Sequence, residues 1–245
     1  MRGVGFSTGA LAKGDFAKGV SLQNARPELR AIELSALREH ELPQLALGFR
    51  NLDLTRATYI SIHAPSKLRE FSEHRVLELL SDLPAKWPII VHPEIVETPE
   101  LWRTLGSRLC LENMDNRKPN GRTLEEVRQL LSEFPEASFC LDLGHARQID
   151  PTMATAMRMA LEFGDRLRQI HVSEVGLRGE HLPLGALAIY AFQLVAPLLP
   201  AECPVIIESV VPEAAIESEI RKILALFGRE GGSNWSLEEA AALAS

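Results

Sequence analysis

Six apolar runs in this chain each end on a residue that can bind a metal or move a proton. "YISIHAP" carries His63, "PIIVHPE" His92, "RLCLENM" Glu112, "SFCLDLGH" Asp142, "RQIHVSE" His171 and "PVIIESV" Glu208. Each of them alone has an ordinary explanation. A lone inward histidine is more often a satisfied core residue than a ligand. A lone glutamate can pair with an inward Lys or Arg, and Asp142 could cap the turn at Gly144. Taken together they ask for more. An ionised carboxylate in apolar surroundings is costly unless something compensates its charge, and these runs offer no Lys or Arg at the same level. Carboxylates interleaved with neutral imidazoles are the donor set of a divalent metal. A metal ion is therefore the expected partner of Asp142.

Side chains alternate along a strand, so parity says which residues share a face. If Asp142 points inward, so does Cys140, while Phe139 and Leu141 point outward. Glu112 then shares a face with Cys110, between outward Leu109 and Leu111. His171 shares one with Gln169, between Ile170 and Val172. Val205 and Ile207 flank Glu208 on the outer face, Ile89 and Val91 flank His92, and Ile60 and Ile62 flank His63. In every run the polar residue lies toward the C-terminal end. Two further histidines follow such runs: His145 in "DLGHA" and His181 in "GEHLPLG". Both are expected on loops, the first beyond a sharp turn at Gly144, the second on a stretch that Pro183 and Gly185 keep non-helical. His40 and His74 sit in polar helical stretches and read as surface residues.

The elements that must position these groups repeat. With "GVGFS" near 3 and "AIELSA" near 31 there are eight β-rich runs, about 30 residues apart, with amphipathic stretches between them. "TLEEVRQLLSEF" puts Leu124, Val127, Leu130, Leu131 and Phe134 on one helical face. "AAIESEIRKILALFG" does the same with Ile216, Ile220, Ile223, Leu224 and Phe227, and Gly228 is its expected cap. The connection after the first strand is the poorest helix, broken by Gly14, Gly19 and Pro27. Eight strands alternating with helices predict an α/β protein with a single (β/α)8 barrel, whose sites are built at the C-terminal ends of the strands. An open doubly wound sheet is the alternative, but "GVGFSTGA" is a poor match to its phosphate fingerprint. The barrel is expected to occupy residues 1–245 as one domain, with 229–245 as a C-terminal extension that adds one helix after a Gly-Gly turn.

Composition narrows the partners. The 245 residues carry a formal net charge of −7, so the surface as a whole repels nucleic acid and anionic membrane, although a local basic patch is not excluded. No stretch approaches the roughly 18 consecutive apolar residues of a membrane span, and "MRGVGFSTGALAKG" lacks the core of a signal peptide. Cys110, Cys140 and Cys203 are far apart in apolar runs and read as buried free thiols, which points to the cytoplasm.

"SIHAP", "VHPE", "LEN", "DLGHA", "HVSE" with "HLPLG", and "IIES", in that order, resemble the xylose-isomerase-like barrels, over residues 3 to about 228. That group holds sugar isomerases and epimerases and the DNA-repair enzyme endonuclease IV. The resemblance to the isomerases implies one metal held by Glu112, Asp142, His171 and Glu208. The two glutamates would also act as acid and base, with His145 on the substrate. The resemblance to endonuclease IV implies three zinc ions: His63 and His92 would join Glu112 on one, and His145 and His181 would hold another with an Asp. That Asp belongs two residues before His181, where this chain has Gly179; Glu180 is off by one position, and Ala186 replaces a later glutamate. The chain therefore departs from the three-zinc pattern at these two positions.

Two functions follow. The first is isomerisation or epimerisation of a small sugar or hydroxy-carbonyl compound. Glu112 and Glu208 would exchange the proton, His63, His145 and His181 would contact substrate, and a divalent metal (Zn, Mn, Mg or Co) would stabilise the enediolate. The alternative is an endonuclease IV-like metal-dependent phosphodiesterase acting on abasic DNA, with further metal on His63, His92, His145 and His181. Nucleic acid is a partner only under this alternative, for which Arg117, Lys118 and Arg122 in "ENMDNRKPNGR" are the local basic residues, although a solvated loop accounts for them equally well.

Overall fold

A computed structural model describes residues 3–228 and 236–244. Eight parallel strands close into a barrel: β1 (Val4–Ser7), β2 (Ala31–Ser35), β3 (Tyr59–His63), β4 (Ile89–Val91), β5 (Leu109–Glu112), β6 (Ser138–Asp142), β7 (Leu167–Val172) and β10 (Val205–Ile207). Neighbours in sequence are neighbours in the barrel, and β10 closes it by pairing with both β7 and β1. Between β7 and β10 the chain adds a two-residue antiparallel ribbon, β8 (Glu174–Val175) with β9 (His181–Leu182). The open-sheet alternative is excluded.

Alternation along the strands separates two apolar layers. Leu109, Leu111, Phe139, Leu141, Ile170, Val172, Val205 and Ile207 join one large cluster with the helices that surround the barrel. Ile90, Cys110 and Cys140 form a small separate cluster inside. The parity read from the sequence is the parity of the fold.

The helices follow from local chemistry. The connection after β1 is split into α1 (Thr8–Ala12) and α2 (Phe16–Asn24), with Gly14 at φ +95° between them. Helices α3 (Glu41–Gly48), α4 (Glu73–Ser81) and α5 (Pro99–Trp102) fill the next three connections. Helix α6 (Leu124–Glu133) starts on a complete capping box, in which Thr123 accepts from the Glu126 backbone while the Glu126 carboxylate reaches back to the Thr123 backbone. Two helices, α7 (Leu143–Ile149) and α8 (Ala154–Phe163), follow β6, and α9 (Ala186–Phe192) follows the ribbon. Helix α10 (Ile216–Phe227) buries Ile216, Ile220 and Ile223 as expected. Its stripe continues through Leu226, 4% exposed, whereas Leu224 is 39% exposed and is not part of it. The helical register rotates that position off the barrel. A last helix, α11 (Leu237–Ala244), ends the described chain and packs on α9. The Gly-Gly turn expected before it, Gly231 and Gly232, lies outside the described residues. Among the described residues no helix is long and apolar enough to cross a membrane.

Candidate metal centre at the mouth of the barrel

His63, Glu112 and Asp142 are the last residues of β3, β5 and β6; His92 and Glu208 follow β4 and β10 directly; His171 is the penultimate residue of β7. Parallel pairing brings these ends to one level, with Asp142 opposite His171. The result is a buried cluster centred on Glu112, whose side chain is 1% exposed. One of its oxygens, Oε2, faces His63 Nε2 and His92 Nε2, each at 3.3 Å. The other, Oε1, lies 3.0 Å from His171 Nδ1 and 3.6 Å from His145 Nδ1. His171 Nδ1 is also 3.5 Å from Glu208 Oε2.

These contacts define two donor sets that share one carboxylate. In His63, His92 and Glu112, and again in Glu112, Asp142, His171 and Glu208, one ligand atom per residue lies within 4.8 Å of every other. A third set adds Cys140 to Glu112 and His171. Burial pushes the Cys140 thiol well above its usual value.

Three buried atoms in these two sets lack hydrogen-bond partners: Glu112 Oε2, Asp142 Oδ2 and His92 Nδ1. Native proteins rarely leave such groups unpaired, and a ligand is one resolution. The Asp142 carboxylate is divided. Its Oδ1 accepts from the His145 backbone at 2.6 Å and caps α7, while Oδ2 has no partner. The capping reading and the ligand reading of Asp142 thus apply to different oxygens. Burial holds Asp142 above the usual carboxylate range and Glu208 well above it. Burial acts on Glu112 too, but His171, His63 and His92 outweigh it and keep that carboxyl well below the usual range. A divalent cation would relieve the desolvation that Asp142 and Glu208 suffer. The residues present fit such an ion.

The histidines are set up as donors. His63 Nδ1 donates to the Ala64 carbonyl at 2.7 Å, leaving Nε2 free toward Glu112. Burial lowers His92 to about 4 and His181 to about 3, so both rings are neutral at physiological pH. His171 Nε2 donates to Glu33 Oε2 at 2.9 Å, which points Nδ1 at the cluster. Glu33, fully buried on β2, is further held by Gln169 at 2.7 Å. A carboxylate behind a ligating imidazole fixes its tautomer and orientation. Glu33 is not among the residues the sequence singles out, although its place between Ile32 and Leu34 in "AIELSA" carries the same alternation signal. Asn113 is also missed. Its amide accepts from Asp142 N at 2.8 Å and donates to Asp142 O at 2.9 Å, continuing the β5–β6 ladder past the strand end.

His145 and His181 reach the mouth by routes other than those expected. His145 lies in the first turn of α7, not on a loop, and Gly144 does not make a turn. A Cβ at Gly144 would stand 2.5 Å from the Ser173 carbonyl and 2.7 Å from the Val175 side chain, so glycine is needed for close packing of α7 on β8. His181 starts β9, held by Ser173 Oγ at 2.9 Å, with Glu208 Oε2 at 3.3 Å. The two rings meet edge to face at 5.5 Å. Among the described residues they belong to none of the three donor sets. The missing carboxylate is not replaced: Glu180 turns away to accept from the Arg178 backbone at 3.1 Å. Asp115 lies 3.9 Å from His145 Nε2, but its carboxylate is taken by Arg117.

Above the cluster opens a cleft of about 330 Å³, bounded by His63, His92, His145, His181 and Glu208 and, on one wall, by Lys67, Arg117 and Lys118. Arg122 is absent from it. It pairs with Glu126 at the start of α6. His40 and His74 are exposed, as read.

No protein-family model and no curated protein sequence matches the chain. Solved structures do. Endonuclease IV from Thermus thermophilus superposes with a TM-score of 0.61 at 20% identity, covering 92% of this chain and 98% of that one. SacUVDE gives 0.58 at 14% identity over 93% and 99%. A mandelate racemase/muconate lactonizing enzyme from Bordetella bronchiseptica gives 0.57 at 13% identity, over 99% of this chain but 64% of that one. At these identities the likeness is one of fold. What the chain shares with them is the closed eight-stranded parallel (β/α)8 barrel.

Proposed function

We propose that this chain is a metal-dependent hydrolase of phosphate esters, with two adjoining cation positions that share Glu112. The observation that carries the reading is the division of the Glu112 carboxylate, with His63 and His92 on one oxygen and His171 on the other. Proton transfer between substrate carbons needs a glutamate free to reach a substrate carbon. A carboxylate enclosed by three imidazoles suits bridging better. His63, His92 and Glu112 would hold one cation; Glu112, Asp142, His171 and Glu208 would hold the other. Paired divalent cations supply Lewis acidity and a nucleophile drawn from water at neutral pH. The chain's own residues do the rest. Glu33 and Asn113 fix His171 and Asp142, while His145 and His181 face the cleft and position the substrate's oxygens. Endonuclease IV among the structural neighbours supports this chemistry, since an endonuclease cuts phosphodiesters.

Isomerisation remains the second reading. It is favoured by Glu112 and Glu208 converging from β5 and β10 within one donor set, and by a cleft of small-molecule size. One experiment separates the two. Metal per chain is counted by elemental analysis, and the same preparation is assayed for p-nitrophenyl phosphate and bis(p-nitrophenyl) phosphate cleavage and for deuterium uptake into ketoses and aldoses. Two metals with ester cleavage are expected. One metal with carbon-bound deuterium would establish the isomerase instead.

A further inference from the structure

The cationic wall of the cleft has no role in holding a metal, yet one of its members is built in place. Arg117 Nε and Nη2 donate to the two Asp115 oxygens at 2.9 and 2.7 Å, and Nη1 donates to the Arg178 carbonyl. The guanidinium lies directly against Gly179, where an added Cβ would stand 1.7 Å from Nη2. Gly179 has φ +76°, a conformation other residues adopt only with strain. The loop after β7 therefore lacks a side chain at the one point where the arginine needs the space. Three of five N–H groups are engaged, which leaves one hydrogen on each Nη for a ligand. The side chain is 42% exposed and lines the cleft.

The neighbouring charges suit an anion. Lys118 is paired with Glu94, and Arg117 with Asp115, so these two pairs cancel. Lys67, exposed on the same wall and without a carboxylate partner among the described residues, leaves the rim cationic. The groove that continues from the cleft past Lys67 is different. It sets Glu73, Glu94 and Glu97 against Lys67 and Arg69, which is no track for a polyanion.

We infer that Arg117, held by Asp115 over Gly179, is a phosphate-binding subsite for a small phosphorylated substrate and not for nucleic acid. This rests on the hydrolase reading for what happens next, but binding itself does not. The test is calorimetric titration of inorganic phosphate into the metal-loaded wild type, Arg117→Ala and Gly179→Ala, with metal content measured on each. Loss of charge-assisted hydrogen bonds should weaken phosphate binding about 10- to 100-fold in Arg117→Ala. Gly179→Ala, which keeps the charge but displaces it, should weaken binding by a smaller factor, at unchanged metal content. Equal affinity in all three proteins would overturn the subsite. So would a short DNA duplex binding more tightly than phosphate esters. If phosphate binding depends on Arg117 while no ester is cleaved, the subsite stands and the hydrolase reading falls. If esters are cleaved and Arg117 is irrelevant to binding, the reverse holds.

Discussion

The two sides of this barrel wall are built on opposite principles. Outside, Phe139, Leu141, Ile170, Val172, Val205 and Ile207 pack on helices in a continuous apolar layer. Inside, Ile90, Cys110 and Cys140 form a small apolar cluster, and above them Glu33, Glu112, Asp142 and His171 are buried, with Glu112 Oε2 and Asp142 Oδ2 unpaired. The outer layer gains free energy from burial; the inner one contains groups whose burial costs free energy unless a ligand offsets it. Stability should therefore reside outside and function inside, and substitutions on the two faces of the wall should separate them.

Glu112→Gln is the sharpest break. An amide cannot serve both donor sets as a carboxylate can, so both cations should weaken together. Ester cleavage should fall by more than about 10⁴-fold, since catalysis by both is lost at once. Elemental analysis with an activity assay reads both effects, and a variant that keeps two metals would refute the sharing. Phe139→Ala is its counterpart on the outer face of the neighbouring strand. Phe139 is fully buried and meets Phe163 edge to face at 5.7 Å. Its truncation should cost about 3–5 kcal/mol in urea unfolding, with metal per folded chain unchanged. A loss of metal at full stability would erase the distinction between the layers.

Glu33→Gln tests whether the inner layer acts through orientation. It touches His171 from behind and no ligand position, so metal affinity should drop about 10- to 100-fold with the stoichiometry intact. Competition with a fluorescent chelator measures this. An unchanged affinity would make Glu33 merely structural.

The smallest effect lies at the rim. Burial pushes the Asp115 carboxyl up, but the Arg117 hydrogen bonds outweigh it and bring it down to about 2 from 3.8. Unfolded chains then bind the proton more readily between these values. The stabilisation is full above pH 3.8 and is lost as pH falls toward 2. The unfolding midpoints of wild type and Asp115→Asn should differ by a constant amount from about pH 8 to about 5, and the gap should close below 3.8. A gap that varies across that upper range would mean that another group controls this pair.

Much of this was legible in the chain itself. A period-2 alternation within eight spaced runs fixes the faces of the strands, because a one-residue slip would send every apolar side chain to the wrong layer. That is why His63, His92, Glu112, Asp142, His171 and Glu208 could be placed on the inner face without coordinates. The grouping of the last four into one set came instead from the resemblance to known barrels. Glu33 obeys the same rule, but its strand end carries no histidine or glycine motif to draw notice. Asn113, Asp115 and Arg117 follow a strand, where alternation ends and no period remains to read.

What the sequence by itself determined is therefore the barrel, the inward parity and the types of donor at its mouth, since these rest on local periodicity and residue chemistry. Only the tertiary structure decided that Glu112 is divided between two sets of imidazoles, that Asp142 caps with one oxygen and leaves the other bare, and that Arg117 lies in the space left by Gly179. The first and last of those facts depend on atoms from distant strands and loops, with Glu112 and His171 59 residues apart and Arg117 and Arg178 61 apart. Distances of that kind are set by packing, which no local pattern records.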